Sequence, residues 1–239
     1  MNFIIDNGNT FLKIGLFEQG QFVLSASYLH SQSDKLLSDI YPYSIDAGIL
    51  SSVAELPQNI ENYFNNLPFK VILNAETAIP IQNNYHSPNT LGGDRLANSV
   101  GAWAQFKGEP VLVVDAGTCL KFDFVDQHGN YLGGGISPGL SMRYNALHHF
   151  TDRLPQLIPV EHANLIGQDT ESSIHSGVIN GMTGEILYLI QQYQTNFPSL
   201  RCILTGGDAR YFLNKLKTHI FASPTLTLQG LDTILRYNQ

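Results

Sequence analysis

The sequence predicts an α/β protein composed of two similar halves. Apolar segments typical of buried strands alternate with segments of helical spacing, which favours a layered α/β architecture. The order strand, turn with Asp and Gly, strand, hairpin, strand starts at Phe3 and again at Val111. A repeat of this length exceeds a solenoid unit and indicates a duplicated domain. We therefore predict two domains, residues 1–110 and 111–239, facing each other across a cleft.

The first half is predicted to contain strands and two helices. Apolar residues 3–5 and 11–17 form the first two strands, and a hairpin turn at 18–21 reverses the chain. The remaining elements are strands at 45–53 and 69–73, a helix at 57–67, and a helix from Asp94 that buries Leu96, Val100 and Trp103, spaced i, i+4 and i+7.

The second half repeats the strand pattern and adds longer helices. Strands are predicted at 111–114, 120–125 and 201–205, and a helix follows Pro138-Gly139. The longest helix, Glu171 to Tyr193, has an apolar stripe composed of Ile174, Val178, Met182, Ile186 and Ile190. We predict that the last segment contains a strand at 226–228 and a short helix from Gly230.

Composition excludes several classes of function. The formal charge is −7, from 20 acidic and 13 basic residues, and the basic residues form no run, so a nucleic-acid partner is not expected. No apolar run is long enough to span a membrane, and the first residues lack the features of a signal peptide. Cys119 and Cys202 are too few for a disulfide framework and are expected as reduced thiols. We predict a cytoplasmic protein.

The turn Asp6-Asn7-Gly8-Asn9-Thr10 has the composition of a phosphate-binding turn. A buried strand delivers Asp6 to its carboxyl end, where α/β proteins place ligands. Successive backbone N–H groups near Gly8 form an anion nest, and the Asp6 carboxylate suits Mg²⁺. The alternative interpretation is an Asn-Gly turn in an ordinary hairpin.

Two further turns favour the phosphate interpretation. Asp115-Ala116-Gly117-Thr118 repeats the first turn, and together they predict a clamp for the triphosphate of ATP. Thr205-Gly206-Gly207-Asp208 follows a strand and presents backbone without side chains, on which an adenine ring can lie. A plain strand-to-helix turn is the alternative at this last position.

The segment from Tyr85 to Arg95 predicts the acceptor site of a kinase. Gly92-Gly93 opens a helix, whose N-terminus favours anions. Asp94 has two interpretations, a helix cap or a general base that takes a proton from an attacking hydroxyl. The run Gly133–Gly139 has two as well, close approach of backbone to substrate or a hinge. The sequence contains no P-loop motif.

Segments along nearly the whole chain resemble the type III pantothenate kinases. They are IIDNGNT, SSV, Tyr85 and Pro88 before LGGDR, VVDAGT, FDFVDQHGNYLGGGISPGL, a Leu-Pro near 155, LIGQDT, LTGGDA and LTLQGLDTILRYN. The resemblance implies an actin/hexokinase-like fold of two ribonuclease H-like (actin-like ATPase) domains with an ATP cleft. It also implies phosphorylation of pantothenate at its 4′-hydroxyl with ATP, the first step of coenzyme A biosynthesis. Mg²⁺, a monovalent cation (K⁺ or NH₄⁺) and a homodimer are implied as well.

The resemblance assigns roles residue by residue. Asp94 matches the general base, and Asp115 the ligand of the monovalent cation. The ATP contacts match Asp6, Asn7, Gly8, Asn9, Thr10, Phe11, Leu12, Lys13 and Thr118, with Asp6 also expected at Mg²⁺. The pantothenate contacts match Tyr85, Gly92, Gly93, Asp94, Arg95 and Thr170. Arg95 has an alternative role, anchoring the helix end through a neighbouring carboxylate.

Two departures from the family pattern, and two rival functions, stay open. Asn7 replaces a small apolar residue, and Cys119-Leu120-Lys121 replaces small and hydroxyl residues. Lys121 adds a positive charge near the expected cation site or the phosphates. The rival functions are a nucleotide-gated regulator of the same fold and an actin-like filament protein, although 239 residues leave little room for filament subdomains.

Overall fold

The computed structural model describes residues 1–216 and 220–239 and confirms the α/β class. The chain forms two compact units. The first contains Met1–Lys107, Gly129–Tyr131 and Thr225–Gln239, and the second contains Gly108–His128 and Leu132–Pro224. The domain boundary predicted at 110 lies close to the point where the chain first passes from the first unit to the second, between Lys107 and Gly108. Residues 225–239, which were predicted in the second domain, group with the first unit.

The described residues form strands and helices throughout both units. The strands are β1 (Asn2–Asn7), β2 (Phe11–Glu18), β3 (Gln21–Leu29), β4 (Ala47–Ser52), β5 (Phe69–Ile72), β6 (Gln82–Asn83), β7 (Val111–Ala116), β8 (Cys119–Val125), β9 (Asn130–Pro138), β10 (Arg201–Thr205) and β11 (Ile220–Ala222). The helices are α1 (Ser33–Ile40), α2 (Gln58–Asn65), α3 (Gly93–Gln105), α4 (Leu140–His149), α5 (Thr170–His175), α6 (Gly181–Asn196), α7 (Arg210–Leu213) and α8 (Leu226–Asn238). None of these helices is long and apolar enough to cross a membrane.

The sheet of the first unit has the order β3-β2-β1-β4-β5. Strand β1 pairs antiparallel with β2 and parallel with β4, so Asp6 is the partner of Lys13 on one side and of Ser51 on the other. The predicted hairpin turn is confirmed, because Gln19 and Gly20 have φ angles of 50° and 80°. Apolar side chains of β1 and β2 pack with α1 and α2 to form the core.

Helices α3 and α8 of the first unit are in close backbone contact. A Cβ at Gly230 would lie 1.8 Å from the Ala97 carbonyl oxygen, and one at Gly101 would lie 2.9 Å from that of Leu226. The strand predicted at 226–228 is wrong, since helix α8 begins at Leu226. The alternating Leu-Thr-Leu pattern is typical of a strand, but the buried leucines and isoleucine of α8 continue at helical spacing.

The second unit contains the strand order β11-β10-β7-β8-β9. Strand β7 pairs parallel with β10 and antiparallel with β8. The predicted apolar stripe from Ile174 to Ile190 is confirmed as part of the core. The predicted long helix is present, but a π-helical segment, Ser176–Asn180, separates α5 from α6. The described strands and helices thus place the predicted turns at the carboxyl ends of β1, β7 and β10.

Candidate functional site

Hydrogen bonds of the backbone and of the Asn7 side chain stabilise the first predicted phosphate turn. The Gly8 N–H donates to the Phe11 carbonyl at 3.0 Å. Asn7 is buried, and its Nδ2 donates to Ser52 Oγ at 2.8 Å and to the Ala54 carbonyl at 2.7 Å. Its Oδ1 lies 2.8 Å from Nε2 of His30, which carries the proton because an amide oxygen only accepts. The Asn7 side chain therefore holds the turn and is not open to a ligand.

The predicted ATP contacts that follow Asn7 differ in their exposure. Asn9, Thr10, Phe11 and Lys13 are exposed, whereas Leu12 is fully buried in the core. Leu12 can therefore offer a ligand only its backbone. Alternation along a strand gives this result, because successive side chains of β2 point to opposite faces of the sheet.

The start of α3 lies at the same edge of the sheet as Asp6. A Cβ at Gly93 would lie 2.7 Å from Ser51 Oγ, and Ser51 is the β4 partner of Asp6. The N-cap of α3 is Gly92, so the interpretation of Asp94 as the cap is wrong. Asp94 lies in the first helical turn, where its Oδ1 accepts from the Arg95 N–H at 2.9 Å. The helix dipole stabilises negative charge at this position.

Arg95 and Tyr85 are brought together, as their predicted common role requires. Arg95 is buried, and its guanidinium carbon lies 5.6 Å from the centroid of the Tyr85 ring. That ring lies 6.0 Å from the ring of Tyr131. A cation over an aromatic face is a favourable contact and fixes the guanidinium plane.

Thr170, the remaining predicted pantothenate contact, belongs to the second unit. It is the first residue of α5, directly after the N-cap Asp169, whose carboxylate accepts from the Ser172 N–H at 2.7 Å. Thr170 lines a largely apolar cavity of about 890 Å³ together with Leu147 of α4 and Phe150, which follows that helix. The cavity can bury apolar groups next to the Thr170 hydroxyl.

The second predicted turn is in direct contact with the third. Gly206 has φ 95°, and a Cβ there would lie 2.3 Å from the Ala116 carbonyl oxygen and 2.5 Å from Asp115 Oδ1. The Asp208 N–H donates to the same carbonyl at 2.8 Å. Burial raises the pKa of the Asp208 carboxyl above its ordinary value. The carboxyl ends of β7 and β10 therefore form one backbone-lined corner of the second unit.

Two glycines of the run Gly133–Gly139 pack against neighbouring backbone of the second unit. A Cβ at Gly139 would lie 2.2 Å from the Thr118 carbonyl oxygen, and one at Gly134 would lie 1.7 Å from that of Phe122. These two glycines are needed for contact between backbone segments within the protein. This packing supplies a reason for the run beyond the two interpretations made from the sequence, substrate approach and a hinge.

Lys121 forms an ion pair with the predicted cation ligand. Its Nζ lies 2.8 Å from Oδ2 of Asp115, and the two side chains are only 14% and 11% exposed. The residues are direct partners in the β7–β8 ladder. Two positive charges about 4 Å apart repel by about 4 kcal/mol at an effective dielectric constant of about 20. A cation bound to Asp115 at such a distance from Lys121 would therefore be disfavoured.

Comparison with known proteins defines the fold and the family. A ROK family glucokinase from Streptomyces griseus, solved with glucose and AMPPNP, has a TM-score of 0.56 at 11% identity and covers 99% of both chains. A conserved Campylobacter jejuni protein assigned to the Baf family of transcriptional activators has a TM-score of 0.64 at 21% identity, covering 99% of this chain and 98% of that one. These likenesses confirm the predicted actin/hexokinase-like ATPase fold.

The sequence comparisons are more specific. A family profile described as type III pantothenate kinase matches residues 2–192. A type III pantothenate kinase from Phocaeicola vulgatus is 44% identical over 239 residues and covers 100% of this chain and 99% of its own. One from Bacteroides fragilis is 42% identical over 239 residues, with coverage of 100% and 98%. The chain belongs to the type III pantothenate kinase family.

Proposed function

We propose that this protein transfers the γ-phosphoryl group of ATP to the 4′-hydroxyl of pantothenate, the first step of coenzyme A biosynthesis. The observation that carries the proposal is the contact between Gly93 and Ser51, which holds Asp94 at the sheet edge where Asp6 lies near the end of β1. Family membership supports the choice of substrate. We also propose that the protein is a cytoplasmic homodimer, in keeping with the resemblance.

Asp94 acts as the general base of the proposed reaction. The hydroxyl oxygen of pantothenate attacks the γ-phosphorus, ADP leaves, and the hydroxyl proton passes to the Asp94 carboxylate. One Asp94 oxygen accepts from the Arg95 N–H, which fixes the carboxylate in the first turn of α3. Little covalent chemistry is required of the protein in phosphoryl transfer, so orientation of this single carboxylate is its main contribution on the acceptor side.

The proposed substrate contacts follow the chemistry of pantothenate. Arg95, fixed over Tyr85, suits the pantothenate carboxylate. The N–H groups at Gly92 and Gly93 and the Thr170 hydroxyl provide further donors. The buried Arg95 also anchors the start of α3, so both interpretations of this residue are retained.

ATP is proposed to bind at the turns that end β1 and β7. The backbone of residues 6–13, the exposed side chains of Asn9, Thr10 and Lys13, and Thr118 provide the contacts. Asp6 suits Mg²⁺, because magnesium takes one or two carboxylates together with phosphate oxygens. No group of three or more His, Cys, Asp or Glu side chains that could hold a metal ion occurs among residues 1–216 and 220–239. When bound, Mg²⁺ neutralises phosphate charge.

A single assay tests the proposed function. Purified protein is mixed with Mg²⁺ and ATP, and ADP release is measured with and without pantothenate while the product is identified by its mass. We expect pantothenate-dependent ADP release and 4′-phosphopantothenate. 4′-Deoxypantothenate, which lacks the accepting hydroxyl, is the matched control and should give neither.

The rival is a nucleotide-gated regulator without kinase activity. A likeness to a Baf-family protein prompts it, but at 21% identity that likeness concerns the fold alone. A regulator predicts ATP binding without pantothenate-dependent turnover, and that result would reject the proposed function.

A further inference from the structure

The Asp115 carboxylate already has a cationic partner within its own chain. Lys121 Nζ lies 2.8 Å from Asp115 Oδ2, and both side chains are largely buried. The resemblance assigns a bound K⁺ or NH₄⁺ to this carboxylate. An ammonium group attached to β8 instead occupies one of its two oxygens.

The position of this ammonium group is determined by the fold. Asp115 and Lys121 are direct partners in the antiparallel ladder of β7 and β8, so their side chains lie on the same face of the sheet. The partly buried ion pair differs from a solvated surface pair, since removal of either partner leaves a partly desolvated charge. The Lys121 side chain is therefore held on Asp115 and does not sample solvent freely.

Two glycines, Gly117 and Gly206, lie beside Oδ1, the second oxygen of Asp115. A Cβ at Gly206 would lie 2.5 Å from Oδ1, and one at Gly117 would lie 3.3 Å from it. A monovalent cation bound to the same carboxylate would be repelled by Nζ, and at a separation of about 4 Å this repulsion would weaken its binding about 1,000-fold. Lysine and the small cation are thus alternatives at this carboxylate.

We propose that the Lys121 ammonium supplies the positive charge that the resemblance assigns to K⁺ or NH₄⁺, so that the kinase reaction needs no added monovalent cation. Lys121 acts through Asp115 and is a positioning residue. The ammonium group and NH₄⁺ carry the same charge and the same N–H donors, which makes the replacement chemically conservative. The inference rests on the proposed function.

The first experiment needs no variant. The protein is purified in choline chloride, ATP is supplied as its Tris salt, and pantothenate-dependent ADP release is measured while K⁺ or NH₄⁺ replaces choline at constant ionic strength. We expect less than a twofold change in rate. An increase of tenfold or more with either cation overturns the inference and leaves the proposed function intact.

The second experiment creates the cation requirement. Lys121→Met keeps an unbranched side chain and removes the ammonium group, so the rate in choline should fall at least tenfold and K⁺ or NH₄⁺ should restore it to within about threefold. Lys35→Met, at an exposed position of α1, is the matched control and should behave as the unmodified protein. A loss that neither cation restores counts against the inference. If Lys121→Met does not fold, the first experiment decides alone.

Melting temperature provides a readout that does not depend on turnover. K⁺ at constant ionic strength should raise the melting temperature of Lys121→Met and leave that of the unmodified protein unchanged, because only the variant has a vacant place for it. Absence of pantothenate-dependent turnover in every salt would reject the proposed function, and the melting temperatures would still test the place of Lys121. Equal changes in the melting temperatures of the two proteins with K⁺ would overturn the inference about Lys121.

Discussion

Gly93 is packed so closely against Ser51 that a Cβ at Gly93 would lie 2.7 Å from the Ser51 hydroxyl oxygen. Real Cβ atoms essentially never approach a neighbour this closely, so one partner would have to move. Since Ser51 pairs with Asp6 in the sheet, the contact couples the start of α3 to the end of β1. The distance between Asp94, the proposed base, and the proposed phosphate turn at Asp6 thus depends on the absence of a side chain at Gly93.

Replacing Gly93 with Ala should move α3 away from β4. We expect kcat/KM for pantothenate to fall about 100-fold, because displacement of a positioned group by about 1 Å has this effect on rate. Gly184→Ala is the matched control, since Gly184 lies in α6 with open space around it and alanine should stabilise the helix by about 0.5–1 kcal/mol. Steady-state kinetics of both variants check the prediction, and equal kcat/KM values would contradict it.

Asp94→Asn keeps the shape of the side chain and removes the base. We expect kcat to fall about 100-fold or more, with KM for ATP nearly unchanged, because the proton of the attacking hydroxyl has no acceptor. Circular dichroism should show an intact fold, since the amide oxygen can still accept from the Arg95 N–H. Near-normal turnover in this variant would remove Asp94 from the role of base.

Gly206 and Gly207 allow the effect of backbone strain on stability to be separated from the general effect of replacing glycine with alanine. Gly206→Ala places a side chain at φ 95° and within 2.3 Å of the Ala116 carbonyl oxygen, so it should destabilise the protein by about 2 kcal/mol or more. A Cβ at Gly207 would have no atom within 4 Å, and Gly207→Ala should therefore change stability by less than about 0.5 kcal/mol. Urea unfolding measures both, and similar midpoints would refute the contact.

Thiol labelling should distinguish the two cysteines. Burial raises the pKa of the Cys202 thiol to about 12, so below that pH the folded protein keeps it as the unreactive neutral thiol. Cys119 is partly exposed. Iodoacetamide at pH 8 should modify Cys119 at least tenfold faster than Cys202, as peptide mass spectrometry would show. Unfolding in urea serves as the control and should make the two rates similar.

Local sequence patterns predicted much of the fold and of the candidate site. Apolar runs ending in Asp placed Asp6 and Asp115 at strand ends, and the spacing from Leu96 to Trp103 identified α3. The pattern at 226–228 predicts a strand because three alternating residues fit either the strand period or the helix period. Its helical form depends on packing against α3, which lies far away in the chain.

Contacts between distant residues explain what the sequence could not provide. The resemblance predicts that Asn7 contacts ATP, yet Ser52, Ala54 and His30 take up its side-chain hydrogen bonds. The Asp115–Lys121 pair requires the register of β7 and β8, and a shift by one residue would move Lys121 to the opposite face. The sequence identifies Lys121 as a departure from the family pattern, but it does not indicate that Asp115 is its partner.

The packing of α8 on α3 has a consequence for the order in which the protein is made. Residues 225–239 belong to the first unit but leave the ribosome after all of residues 132–224. The apolar face of α3 that α8 covers must therefore stay uncovered, or covered by a chaperone, while the second unit is synthesised. The unit that is started first is completed last, and during translation it is the one more exposed to misfolding.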